Sequence, residues 1–253
     1  MDLQVIFEDS QLMVIDKPAG LVVTPAETHR EDTLSDILIK DFGINLDRGG
    51  VVHRLDKDTS GLLVITKTQS TLENLQLQFK ERMVKKEYIA LVHGFLEKEQ
   101  VVRGAIERNP RNREKFAVSE SGKEAETVFK PISNLKFKIS NFETIFHDLN
   151  KIQRRKLEQI NYNQFTLTIC QPKTGRTHQI RVHLKYINHP IVGDEKYAGR
   201  KVSRLDGRFC PRQFLHAARL EFYHPKDGRK MSFENPLPDD LKKVLSLLSP
   251  LTD

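Results

Sequence analysis

The chain has 253 residues, 38% of them hydrophobic and 30% charged, which suits a soluble globular protein with a buried core and excludes a disordered chain. No stretch approaches the roughly 18 consecutive apolar residues of a membrane span. The acidic start MDLQVIFEDSQ does not match a signal peptide, and two isolated cysteines cannot build a disulfide framework. These features favour a reducing cytoplasm. The net charge of +7 favours polyanionic partners.

In chain order, apolar runs and alternating patterns predict strands at 3–7, 12–15, 21–23, 61–65, 87–95, 125–129, 135–139, 165–170, 220–223 and 231–233. Helices are predicted after the caps Thr33, Ser70 and Thr177, and over 239–248. Residues 141–163 follow neither pattern and look like an insertion. Strands dominate without a regular βαβ alternation, which predicts one α+β domain over residues 1–253.

The segment HRLDKDTSGLLVITK, residues 53–67, places Asp56 in a loop that leads into the predicted buried strand. Asp56 lies between Arg54 and Lys57, which keep a carboxylate ionised. On local sequence alone it is an ion-paired loop residue, a metal ligand or a covalent nucleophile. The basic neighbours make Asp56 and Asp58 a poor cation site.

A second segment, KTGRTHQIRVHLKYINHPIVGD, covers residues 173–194. His178 and His183 are five residues apart, so neither a helix nor a strand brings both onto one metal ion. Arg181 lies near the start of the predicted helix, where it is a surface residue or an ion-pair partner. As a partner it needs a carboxylate, and the loop of Asp56 offers one.

Two further residues and two basic clusters are ambiguous when taken singly. Tyr88 and Leu215 follow patterns of ordinary core residues. One cluster consists of Arg103, Arg108, Arg111, Arg113 and Lys115. The other consists of Lys196, Arg200, Lys201, Arg204, Arg208 and Arg212, with Asp206 the only acid among them. Both look like loops that are either solvated or bind phosphates.

Four segments occur in one order that resembles the RluA family of pseudouridine synthases. They are HRLDKDTSGLLVITK, KKEYIALVHG, TGRTHQIRVHLKYINHPIVGD and LHAARLEFYHP. The opening VIFEDSQLMVIDKPAGLVV is similar to the start of that family's catalytic domain. The resemblance covers nearly the whole chain and is weakest over 100–165. It implies a mixed, largely antiparallel central sheet flanked by helices.

The resemblance also implies a reaction, the isomerisation of uridine in transfer or ribosomal RNA to pseudouridine without cofactor or metal. Asp56 matches the family's nucleophile, which attacks C6 of the base or C1′ of the ribose; the sequence does not choose. Arg181 matches the arginine that pairs with this carboxylate. Tyr88 matches the tyrosine that packs on the extruded base and assists proton removal at C5.

The remaining matches concern substrate binding. Arg54 fills the gap left by the flipped base or grips phosphates, Leu215 lines the base pocket, and Arg176 is a further substrate contact. The basic clusters become candidate contacts to the RNA backbone.

Because the first strands already resemble the family's catalytic domain, we expect no S4 domain of the kind found in several family members, and this expectation favours transfer RNA over a large-subunit target. We expect a cytoplasmic monomer without membrane association. An alternative is a non-catalytic RNA-binding or RNA-chaperone protein on the same fold. A glycosidase or nuclease would need a second carboxylate or a metal.

Overall fold

The computed structural model of the chain describes residues 3–25 and 33–251. In this part the strands are β1 (Gln4–Glu8), β2 (Leu12–Lys17), β3 (Ser60–Thr66), β4 (Lys85–His93), β5 (Gln100–Arg103), β6 (Ile106–Arg108), β7 (Phe116–Val118), β8 (Glu126–Phe137), β9 (Phe165–Pro172), β10 (Leu215–Tyr223), β11 (Lys230–Glu234) and β12 (Leu248–Pro250). The α-helices are α1 (Leu34–Phe42), α2 (Gln69–Lys80), α3 (Ile139–Ile145), α4 (Lys151–Gln159), α5 (Gln179–Tyr186), α6 (Arg200–Asp206) and α7 (Asp239–Ser246). The α+β class is confirmed. No helix in the described ranges has the length and apolarity needed to cross a bilayer.

The chain divides into two compact units. Unit 1 combines Met1–Tyr88 with His216–Pro236, and unit 2 combines Ile89–Leu215 with Leu237–Asp253. Strand β4 begins in unit 1 and ends in unit 2. The expectation of a single domain stays a prediction.

The strands of unit 1 form a mostly antiparallel arrangement around one parallel pair. Strand β2 lies between β1 and β3 and is antiparallel to both. Strand β10 pairs with β3 in parallel and with β11 in antiparallel register. Their alternating apolar residues, joined by one face of α2, form a core of Leu12, Val14, Leu62, Val64, Leu75, Val84, Leu220 and Phe222.

The buried central strand predicted at 61–65 is confirmed, because all seven residues of β3 are buried. Its parallel partner approaches closely where Gly61 lies beside Ala217. A Cβ atom on Gly61 would lie 2.3 Å from the Ala217 carbonyl oxygen, and the Gly61 φ of +114° is one that other residues rarely adopt. Glycine therefore permits the strand pair that starts directly after the loop of Asp56.

In unit 2, β8 pairs with β9 along most of its length, and β5 and β12 pair with its two ends. Strands β6 and β7 form a separate hairpin. Residues 141–163, which follow no clear sequence pattern, contain most of α3 and all of α4. Phe146 and Tyr162 from this segment are buried in an aromatic cluster with Phe137 and Phe165. The segment therefore packs against the unit that contains it.

The strand predicted over 21–23 is wrong. The carbonyl oxygens of Val22 and Val23 accept hydrogen bonds from the backbone N–H groups of Leu34 and Ser35. These donors belong to the first turn of α1, where helical N–H groups have no partner within the helix. The apolar segment is thus buried as a backbone cap rather than as a strand.

The N-cap of α1 is the predicted residue, whereas the N-cap of α2 is a different one. Thr33 caps α1 as predicted, in a reciprocal capping box with Asp36. The predicted cap Ser70 is wrong, because Thr68 caps α2 and accepts from the N–H of Thr71. A second good capping residue two positions earlier displaces the predicted box.

Two predicted elements end earlier than their patterns suggested. The alternation over 135–139 ends at Phe137, the last residue of the long strand β8; Lys138 is the N-cap of α3, and the exposed Ile139 starts that helix. The helix predicted over 239–248 ends at Ser246, and Leu248 continues into β12, which pairs with β8. Tertiary pairing decided both boundaries.

Gly61→Ala tests the close approach of β3 and β10. We expect a loss of about 3 kcal/mol in the free energy of unfolding, since the methyl group overlaps a backbone carbonyl. Gly228→Ala is the matched control, because its φ of +70° is also positive but no atom lies within 4 Å of the added Cβ. It is expected to cost about 1 kcal/mol. Urea denaturation measures both, and equal losses would contradict the packing argument.

Candidate active site

The loop of residues 52–59, here called the Asp56 loop, is anchored at its start by a histidine. Nε2 of His53 accepts a hydrogen bond from the N–H of Val64, at 3.3 Å. Burial, with the nearby positive charge of Lys86, lowers the pKa of His53 to about 3. The imidazole is therefore neutral and keeps the lone pair that this bond requires.

The end of the loop is anchored by a second histidine. The Ser60 hydroxyl lies 2.9 Å from Nδ1 of His216, and both side chains are buried. Nε2 of His216 lies 3.1 Å from the carbonyl oxygen of Asn235, which can only accept. Nε2 therefore carries a proton, and in the neutral ring Nδ1 accepts from Ser60.

A buried lysine ties the middle of the loop to the preceding turn. Lys17 is 0% exposed, and its ammonium group donates to the carbonyl oxygens of Pro18 at 2.6 Å, Leu21 at 2.9 Å and Lys57 at 3.0 Å. The N–H of Gly20 also donates to Lys57, at 2.9 Å. Sequence reasoning missed Lys17. A lysine that ends the apolar run LMVIDK before Pro-Ala-Gly was the available signal.

Asp56 occupies a tight turn within this anchored loop. Its carbonyl oxygen accepts from the N–H of Thr59, at 3.1 Å. Asp56 is partly buried, whereas Leu55 is buried and Arg54 is exposed. The turn thus presents a carboxylate at the surface of unit 1 on a backbone fixed at several points, with a solvent-facing arginine two residues before it.

Tyr88 also belongs to unit 1 and is buried on β4. Lys86 lies two residues earlier on the same strand, so both side chains leave the same face. Burial lowers the pKa of Lys86 to about 8, and its ammonium group lies 5.7 Å from the centre of the Phe79 ring. Tyr88 therefore shares its strand face with a cation that loses its proton unusually easily.

Arg181 lies in unit 2, on α5, and is 6% exposed. It makes a bidentate ion pair with the fully buried Asp194, at 2.7 Å from Nε and 2.9 Å from Nη2. Asp194 also accepts from the N–H groups of Lys196 and Tyr197. Sequence reasoning missed Asp194, which stands 13 residues from Arg181. The expected pair between Arg181 and Asp56 stays a prediction.

The start of α5 is not built as the sequence suggested. The predicted cap Thr177 is wrong, because His178 is the N-cap, in a left-handed conformation with φ 56°. The Gln179 side chain instead accepts from the N–H of Arg176 at 3.0 Å and from the Thr174 hydroxyl at 2.7 Å. A side-chain amide thus orders the turn before the helix.

The two histidines of this segment have separate partners. Nδ1 of His178 lies 2.8 Å from the Tyr197 hydroxyl. His183 lies 2.9 Å from the Thr127 hydroxyl and 3.0 Å from the Gly104 carbonyl oxygen. Within residues 3–25 and 33–251, no three His, Cys, Asp or Glu side chains are grouped to hold a metal ion.

Leu215 and Arg176 occupy different settings. Leu215 is buried and starts β10, directly before His216. Arg176 is exposed, donates from Nε to the Glu124 carbonyl oxygen at 3.0 Å, and lines a groove of about 450 Å³ in unit 2. Together with Arg181, both residues belong to unit 2, whereas Asp56, Arg54 and Tyr88 belong to unit 1.

The groove that Arg176 lines is basic and includes an aromatic ring. Its wall includes Arg108 and Lys123, and the Arg108 guanidinium lies 5.1 Å from the centre of the Phe116 ring. The first basic cluster was expected to be a loop, but Arg108 lies on β6 and Phe116 on the paired strand β7. The hairpin therefore gives part of this cluster a defined geometry.

The second basic cluster is partly helical, since α6 runs through it, and its one acid faces inward. Asp206 is fully buried and accepts from the Tyr162 hydroxyl at 2.8 Å and the Gly193 N–H at 2.9 Å. It therefore places no carboxylate on the exposed surface of the cluster. Two of the arginines are paired, Arg208 with Asp148 and Arg212 with Asp240, which reduces the charge left to a partner.

Comparison with known proteins places these features in context. A family model described as RNA pseudouridylate synthase matches residues 11–186. Ribosomal large subunit pseudouridine synthase D of Nitrosomonas europaea is 41% identical, over 97% of this chain and 65% of that protein. An uncharacterized RNA pseudouridine synthase of Bacillus subtilis is 38% identical, over 98% of this chain and 73% of that protein. The chain thus spans about two thirds of the length of the first of these relatives.

Solved structures show the same fold. The structure of human RNA pseudouridylate synthase domain containing 1 matches with a TM-score of 0.72 at 24% identity, over 99% of this chain and 89% of that chain. The human domain containing 4 matches with a TM-score of 0.68 at 22% identity, over 97% of this chain and 94% of that chain. The fold expected from the sequence resemblance is confirmed.

Lys17→Met tests the anchor of the Asp56 loop. The methionine keeps the apolar stem but removes the ammonium group that donates to three carbonyl oxygens, of which, in the described part of the chain, only that of Lys57 keeps a second donor, the N–H of Gly20, so we expect a loss of about 3 kcal/mol in the free energy of unfolding. Lys67→Met is the control, because the Lys67 ammonium group pairs with the half-exposed Glu8, and its loss is expected to cost less than about 1 kcal/mol. Urea denaturation compares them, and similar losses would contradict the anchoring role.

Proposed function

Because the chain belongs to the RNA pseudouridylate synthase family, we propose that it isomerises uridine in RNA to pseudouridine. The observation that carries this proposal is the Asp56 loop. A carboxylate in a tight turn, held by Lys17, His53 and Ser60, is suited to repeated attack on one atom of a substrate. The anchors keep it in place without enclosing it.

The reaction needs no oxidant or second substrate. The bond between N1 of uracil and C1′ of ribose breaks, the base turns, and C5 bonds to C1′. The proton at C5 leaves and N1 gains one. Asp56 is the proposed nucleophile, at C6 or at C1′, and it leaves again when the new bond is complete.

Arg181 is the proposed partner of the Asp56 charge. An arginine stays protonated at any working pH, and five N–H donors in a planar fork allow one guanidinium to bind more than one carboxylate. The bidentate bond to Asp194 supports this role because it fixes the plane of the guanidinium. Without such fixation, a long flexible cation would hold the nucleophile less firmly.

The other matched residues are proposed to hold the flipped uridine. Tyr88 packs against the base and assists proton removal at C5, and Leu215 provides an apolar wall. Arg54 is exposed beside the nucleophile, which supports its proposed contact with RNA phosphates or with the gap left by the base. Arg176 is proposed to contact RNA from the basic groove.

Large-subunit ribosomal RNA is the proposed first target, with transfer RNA second. The relatives from Nitrosomonas europaea and Pseudomonas aeruginosa are named for the large ribosomal subunit. Their names outweigh the sequence argument for transfer RNA, which rested on where the chain begins. We propose that the protein acts in the cytoplasm, since the substrate RNAs are found there. We also propose that it is a monomer. A purely RNA-binding role is less well supported, because binding alone does not require an anchored carboxylate.

Asp56→Asn tests the nucleophile. The amide keeps the shape of the side chain but cannot attack, so pseudouridine formation should fall by at least about 1,000-fold while RNA affinity stays within about threefold. Asp58→Asn makes the same charge change in the same loop and should remain active. Pseudouridine mapping of ribosomal and transfer RNA measures formation. Retained activity in Asp56→Asn would exclude the proposed mechanism.

Arg108→Gln tests the groove as an RNA contact. Loss of one phosphate contact should weaken RNA binding about tenfold and reduce the slope of log affinity against log salt by about 1. Arg155→Gln on α4 is the control, because this exposed arginine does not line the groove. Titrations at several salt concentrations measure both. The same decrease in RNA affinity in the two variants would mean that binding depends on the net charge of the protein and not on the groove.

A further inference from the structure

Tyr197 contacts Arg181 directly through its ring and indirectly through Asp194, and neither the family match nor the sequence assigned it a role. Its ring lies under the Arg181 guanidinium, 5.1 Å from the ring centre, and its N–H donates to Asp194 at 3.1 Å. Asp194 holds the edge of the guanidinium, while Tyr197 supports its face. The position of Arg181 therefore depends on both residues.

The hydroxyl group of Tyr197 points to other elements of unit 2. It accepts from the N–H of Phe116 on β7 at 2.9 Å and lies 2.8 Å from Nδ1 of His178. The Phe116 and His178 rings also meet edge to face, 5.5 Å apart. Tyr197 is 6% exposed, so these contacts are made within the protein.

The hydrogen bond between Tyr197 and His178 extends these contacts to the start of α5, because His178 is the N-cap of that helix. The left-handed backbone of His178 is uncommon for residues other than glycine, although histidine adopts it more often than most, and contacts from the surroundings help to hold it. The hydrogen bond to Tyr197 and the contact with Phe116 provide that support. Arg181 follows three residues later, so the direction of this turn sets where its side chain begins.

The β6–β7 hairpin connects Tyr197 to the basic groove. Arg108 and Phe116 lie opposite each other in it, and both line the basic groove. A phosphate bound by Arg108 would act directly on the strand pair whose Phe116 N–H is held by Tyr197. The groove and Arg181 are thus joined through one side chain.

We propose that Tyr197 is a positioning residue that couples RNA contact at the β6–β7 hairpin to the placement of Arg181. Its ring supports the guanidinium, and its hydroxyl holds the hairpin and the turn at His178. The inference rests on the proposed function for its kinetic consequence, but the physical connection is independent of it.

The first test uses Tyr197→Phe, which keeps the ring and removes only the hydroxyl. At saturating RNA and well below the unfolding temperature, the single-turnover rate should fall about tenfold while RNA affinity changes less than about twofold. Tyr186→Phe is the control, since Tyr186 ends the same helix and is 60% exposed. A wild-type rate in Tyr197→Phe overturns the positioning role.

The second test measures the coupling by adding Arg108→Gln to each background. Alone, this change should lower the saturating single-turnover rate about threefold as well as the affinity. In the Tyr197→Phe background it should lower the affinity only, because the connection is already broken. The same additional rate loss in both backgrounds overturns the coupling.

Amide hydrogen exchange of the free protein provides a readout without activity. Tyr197→Phe should speed exchange at Phe116 and in the first turn of α5, whereas Tyr186→Phe should not. If the wild-type chain forms no pseudouridine, the proposed function fails, and exchange still decides the connection. Unchanged exchange at both places overturns it.

Discussion

The path of the Asp56 loop depends first on the ammonium group of Lys17, which is buried among three backbone carbonyl oxygens. A buried ammonium group without hydrogen-bond acceptors would be costly, so its presence fixes those carbonyl oxygens around it. One of them belongs to Lys57, the neighbour of Asp56. The charge thereby determines the path of the loop, and the two histidine bonds at its ends complete the constraint.

In unit 2 the charged group that is held in place is a cation, Arg181. Arg181 is held along its edge by a fully buried carboxylate and on its face by an aromatic ring, and the turn before its helix is ordered by side chains. In both units the charged group that is proposed to act on the substrate, Asp56 or Arg181, lies on a segment that buried partners hold in place. Such preorganisation lowers the reorganisation needed when the substrate's charge changes.

The elements with strong local patterns were predictable from the sequence. The apolar run of β3 and the cap at Thr33 depend on adjacent residues, so their patterns are visible in the chain. Lys17 and Tyr197 were missed because their partners are backbone atoms or distant residues without a recognisable spacing. The strand prediction over 21–23 was wrong because an apolar run indicates burial but does not specify which groups its backbone forms hydrogen bonds with. Asp56 and Arg181 were predicted as site residues from family resemblance rather than from local chemistry, and these roles stay predictions.

The most direct measurement follows the hydrogen at C5 of uridine, because only formation of the bond between C5 and C1′ requires it to leave. Ribosomal and transfer RNA transcripts carrying tritium at C5 are incubated with the wild-type chain. The account predicts release of tritium in equal amount to the pseudouridine formed. Firm binding of both RNAs with no release of tritium from either would contradict it.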